Sequence, residues 1–140
     1  MPRLPVLIFF LAAGNAWGCG YCVEDKVAAV YDHAAVTRSI AAGRTVVFFA
    51  IDGELKHGAA ASAQTRARIE KLAAAVPGIE PGSVRASSEA AALAVAFDPK
   101  RASLAQVQKA LEQKLKVSLL AMKVMDRPGE LAELPASARR

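Results

Sequence analysis

The chain has 140 residues, 18 Lys and Arg against 13 Asp and Glu, a formal net charge of +5, and 54% hydrophobic residues including both of its cysteines. That apolar fraction, regularly spaced, excludes a disordered chain. Aromatics make up only 6%, and Arg66, Arg68, Lys71, Lys100, Arg101, Lys109, Lys114 and Lys116 are interleaved with polar and acidic residues on helix-like segments. They read as a solvated surface, without the stacking side chains or recognisable module of a nucleic-acid binder, and no nucleic-acid partner is expected.

Arg3 and the free amino group precede an uncharged apolar run, residues 4–13, and then small residues. This is the pattern of a secretion signal, with cleavage after Ala16 or Gly18, and it assigns residues 1–18 to a signal peptide. The run is too short for a transmembrane helix, which needs about 20 apolar residues, so no stable membrane span is expected after its removal. Trp17 and Ala16 ahead of Cys19 make a poor lipoprotein signal. About 120 residues remain, enough for one domain with one core in a periplasmic or secreted setting.

From Cys22 onward, Val23, Val27, Val30, Tyr31 and Ala34 recur at helical spacing, which predicts one amphipathic helix within a segment, 19–42, that also carries the cysteines. Gly43 ends it. Residues 45–51, Thr-Val-Val-Phe-Phe-Ala-Ile, are β-branched and aromatic and predict a strand closed by Asp52-Gly53. Ser62 opens a second helix over 62–75, with Ile69, Leu72, Ala73 and Val76 as its stripe, until Pro77-Gly78 stops it. Residues 84–88 and 93–97 predict two short strands joined near Ser88-Glu89. Ser103 caps a helix carrying Leu104, Val107, Leu111 and Leu115, residues 117–125 form a last strand, and residues 127–140 read as a loose tail.

From Thr45 this order is β-α-β-β-α-β, an α+β, ferredoxin-like arrangement over residues 43–126 with an extra N-terminal helix. The segment Val76-Pro-Gly-Ile-Glu-Pro-Gly-Ser-Val84, the strand ending Val95-Ala-Phe-Asp-Pro99, and Gln106-Val-Gln-Lys-Ala-Leu-Glu112 resemble the corresponding parts of heavy-metal-associated domains. The resemblance implies a small copper or zinc carrier. It departs from that family where metal binds: Gly53-Glu-Leu-Lys-His-Gly-Ala59 has Lys56 and Ala59 where the family's two cysteines would stand. His57 offers that loop one imidazole, and an ordinary loop histidine is the commoner reading.

The soft ligands are instead Cys19 and Cys22, in Cys19-Gly-Tyr-Cys22. Three readings stay open. The pair can close a small structural disulfide in an oxidising compartment. It can be a redox dithiol, since a helix N-terminus stabilises a thiolate, although no strand precedes it as a thioredoxin-like order requires. Or it can hold a soft ion, copper(I) first because two thiolates suffice, zinc second because it needs two further ligands. His33 lies about 16 Å along a continuous helix from Cys22 and could join only after a helix break or from a second chain. Tyr21 is either a lid over the sulfurs or an exposed aromatic.

No Gly-x-Ser-x-Gly elbow, phosphate-cradling loop or His-Glu-x-x-His helix is present, and Asp52, Glu54 and Asp98 sit at turns. A hydrolytic enzyme is not expected. The reading put first is a soft-metal binding or transfer protein with a metal-donor or metal-acceptor partner. A thiol-disulfide redox protein and an interaction domain with a structural disulfide are the alternatives. The strand 46–51 is apolar on both faces, and docking of the N-terminal helix on the face left open by the two domain helices is expected.

Overall fold

The computed structural model describes residues 22–52, 59–127 and 130–133. After Cys22 come two helices, α1 (Val23–Val30) and α2 (His33–Ala41), then β1 (Thr45–Asp52), α3 (Ala59–Ala74), β2 (Arg85–Ser87), β3 (Ala92–Phe97), α4 (Leu104–Leu115), β4 (Ser118–Arg127) and β5 (Glu130–Glu133). The strands form one antiparallel sheet in the order β2-β3-β1-β4-β5, with the expected ferredoxin-like βαββαβ unit running from β1 to β4.

Alternation along the central strands decides the layers. Val47, Phe49 and Ile51 of β1 and Leu93, Val95 and Phe97 of β3 pack with Ile69 and Ala73 of α3 and Val107 and Leu111 of α4. Val46 and Phe48 of β1, with Ala92, Ala94 and Ala96 of β3, face the other way and pack under Val27, Val30 and Val36. The valine stripe of the N-terminal segment therefore covers the second face, giving three layers with the sheet in the middle. The alanines keep that side of β3 low, so a helix can approach closely.

The single N-terminal helix read from periodicity is two helices. Tyr31 and Asp32 are extended, and Asp32 restarts the chain as the N-cap of α2: its Oδ1 accepts the Ala35 amide at 3.0 Å. Its other oxygen takes the Arg85 guanidinium of β2, Nε at 2.9 Å and Nη2 at 2.7 Å. The Ala35 amide first, and then Arg85, hold the Asp32 carboxyl below its ordinary pKa. Further pins are Lys26 Nζ, which donates to the Ala90 carbonyl at 2.6 Å beside the left-handed Ala91, and Ser39 Oγ, which donates to Glu80 at 2.9 Å.

Two other expectations change. The tail read as loose from residue 127 begins inside β4, and Glu130–Glu133 pair with β4 as a fifth strand, Arg127 opposite Glu130. In β4 the register against β1 shifts between Phe48 and Phe49, a β-bulge. It leaves consecutive residues on the covered side: Met122 packs in the α1 layer and Lys123 reaches Glu24 of α1 at 3.7 Å. Ser103 caps α4 as the sequence indicates, and the structure adds a reciprocal capping box with Gln106.

Phe48→Ala is expected to destabilise the domain by about 3–5 kcal/mol, read by chemical denaturation. A chain started at Gly43 should bind a hydrophobic dye, because Val46, Phe48, Met122 and Met125 lose their cover. Asp32→Asn tests the clamp on α2. A depressed carboxyl contributes stability that is present above its unfolded pKa of about 3.9 and lost as pH falls through the lower folded value. The variant should therefore melt below the parent at neutral pH, and the gap should narrow on acidification.

Candidate metal centre

Cys22 is the N-cap of α1, extended in backbone and exposed in side chain. Its surroundings are set by the first turn of the helix. The Cys22 amide donates to Asp25 Oδ2 at 3.4 Å and the thiol donates to the same oxygen at 3.1 Å, while the sulfur stands over the Asp25 amide in the reciprocal manner of a capping box. Glu24, next in the chain, is held below the ordinary carboxylate range by its own amide, by the Cys22 thiol and by Lys123.

These contacts act on the sulfur in opposite directions. The hydrogen bond from the Asp25 amide lowers the Cys22 pKa, as a helix N-terminus should. The Asp25 carboxylate that accepts the thiol proton raises it, partial desolvation and Glu24 add to that, and the net result is a thiol above its ordinary value. At Cys22 the carboxylates of the first turn thus oppose the stabilisation of a thiolate that a helix N-terminus otherwise gives.

Cys19 and Tyr21 lie outside the described residues, as do Glu54, Lys56 and His57. Ala59, the other position where the resemblance would place a cysteine, is the first residue of α3. His33 is the first residue of α2, beyond the break at Tyr31-Asp32, and the eight residues of α1, about 12 Å at 1.5 Å per residue, still lie between it and Cys22 at the other end of that helix. Its Nδ1 is instead 3.4 Å from the Tyr31 hydroxyl, and the Tyr31 ring stacks on Phe48 with centroids 6.2 Å apart. Among the described residues, no three His, Cys, Asp or Glu stand together as a metal-holding group. Asp98 has a structural role, taking Arg44 at 2.7 Å and capping the Lys100 amide at 3.0 Å. Asp52 ends β1, exposed.

Two residues escaped the sequence reading. Asp25 decides the ionisation of Cys22, and its position three after an N-cap is the signal that could have found it. Lys26 holds α1 to the β2–β3 turn, a contact 64 residues distant in sequence that leaves no local mark. Two open polar hollows flank β2, both lined by Ala29, Arg66 and Ala86, and neither is lined by Cys22. Among the described residues no helix is long and apolar enough to cross a membrane.

A solved structure is similar. It is the solution structure of the N-terminal domain of a potential copper-translocating P-type ATPase from Bacillus subtilis in the Cu(I)-loaded state, at 21% identity, with 62% of this chain and 98% of that chain covered and a TM-score of 0.45. No family model and no curated protein matches the chain.

Asp25→Asn, made in a Cys19→Ser background so that one thiol is read, is expected to lower the Cys22 pKa. Iodoacetamide should then react several-fold faster at neutral pH, with the rate profile displaced to lower pH. An unchanged profile would show that Asp25 does not control the thiol.

Proposed function

We propose that this chain is an exported domain, periplasmic or secreted, that binds a soft metal ion on Cys19 and Cys22 and exchanges it with a metal-donor or metal-acceptor protein. Residues 1–18 are its signal peptide. The observation that carries this reading is the placement of Cys22: an exposed thiol heads a helix that is docked over the sheet and tied to it through Lys26, Val27 and Val30. Cys22 is thereby presented on the body of the domain.

Copper(I) comes before zinc. Two thiolates complete a two-coordinate soft monovalent ion, whereas tetrahedral zinc needs two more donors. Glu24 and Asp25 make the approach to the sulfur negative, which favours a cation, but Asp25 also holds the proton that a metal must displace. Metal therefore competes with protons, and affinity rises with pH until the thiols are ionised. The same raised thiol weighs against dithiol-disulfide catalysis, and insulin reduction at background rate is expected.

Mass spectrometry of reduced protein, with and without cuprous ion, tests the proposal. A single-copper adduct is expected, weakening from pH 8 to about pH 6 as the thiols (ordinary pKa about 8.5) hold their protons, and lost in Cys19→Ser and in Cys22→Ser. Protein that takes up no copper after reduction at any pH would overturn it and leave the structural disulfide.

A further inference from the structure

The two helices on the far side of the sheet carry one carboxylate each, and both are turned inward. Glu70 of α3 accepts the amide of Ala86 on β2 at 3.1 Å, and Glu112 of α4 accepts the amide of Leu119 on β4 at 2.8 Å. What remains outward is of one sign. Arg68 and Lys71 on α3, Lys109 and Lys114 on α4, and Lys116 at its C-cap are exposed, while Arg66 lines the hollows beside β2. Among the described residues none of the first five has a carboxylate within ion-pair distance. The opposite layer is mixed: α1 and α2 set Glu24, Asp25 and Asp32 against Lys26 and Arg38, and Lys123 and Arg85 reach it to pair with Glu24 and Asp32. One side of the molecule is uniformly basic and the other carries both signs.

The basic side also lacks apolar anchors: among the described residues the exposed large hydrophobic side chains are Val23, Tyr31 and Leu120, none of them on α3 or α4. Protein interfaces concentrate their energy in buried aromatic and apolar anchors, and single-stranded nucleic acid wants stacking rings. A broad helical face offering only Lys and Arg suits a dense layer of anionic headgroups, where each cation contributes without needing a fixed partner. We propose that the α3/α4 face docks the domain on an anionic lipid bilayer by charge alone, with α1 and Cys22 on the side turned away from the membrane.

The test is co-sedimentation of the full chain with vesicles of phosphatidylcholine alone and of phosphatidylcholine mixed with phosphatidylglycerol, at low and high salt. Binding is expected on the mixed vesicles only, disappearing as salt shortens the screening length to a few Å. Arg68→Glu/Lys71→Glu/Lys109→Glu should lower the partition constant more than about tenfold with an unchanged circular dichroism spectrum. These side chains are exposed and outside the core, and Lys71→Gln serves as a milder second variant. Equal binding to neutral vesicles, a charge-reversed variant that binds like the parent, or retention on polyglutamate without vesicle binding would each overturn the proposal, the last in favour of an acidic protein. The Cys19→Ser/Cys22→Ser chain should bind vesicles like the parent, so failure of copper uptake and failure of membrane docking are separately visible.

Discussion

A sheet that is apolar on both faces cannot stop at a two-layer fold. Phe48 and Phe49, adjacent in β1, are both wholly buried, and because successive strand residues point to opposite faces they require cover from opposite directions. Burial of such side chains is worth roughly 1.5–3 kcal/mol each, comparable with a fair share of the 5–15 kcal/mol that holds a domain of this size together. The helices α3 and α4 satisfy Phe49. Among the described residues the N-terminal segment is what covers Phe48, so what precedes the ferredoxin-like unit is part of its core, and the position of Cys22 follows from that packing.

The strands, the two later helices and the Ser103 cap could be read from the sequence because each leaves a local signature: alternation, a stripe at three and four residues, a hydroxyl three residues ahead of Gln106. The helix break at Tyr31-Asp32 left none that outweighed the valine stripe running through it. Asp32 is fixed by Arg85, 53 residues on, and a partner at that distance is invisible to a helical period. The bulge in β4 and the fifth strand depend likewise on pairing. At the site the helix N-terminus was legible, but the sign of its effect on sulfur was not, since an amide and a carboxylate of the same residue, Asp25, compete there at hydrogen-bond distance.

Several carboxylates among the described residues have structural partners. Glu70 closes off the amide of the short edge strand β2, which would otherwise be open to pairing with another chain, Glu112 accepts an amide at the start of β4, and Asp32 and Asp98 each join a cap to an arginine. Such placement gives each acid a structural partner and leaves the lysines of the outer helices unbalanced. One architectural economy thus produces two chemically distinct sides, a thiol beside acids and a field of cations, separated by the thickness of a sheet.

The row Ala92, Ala94 and Ala96 sets the height at which α1 rides above the strands. Three methyl groups act as a gauge: a larger residue there would push α1 away from the strands. The seat of the helix that Cys22 heads is thus set from within the core, by buried side chains on the other side of the interface.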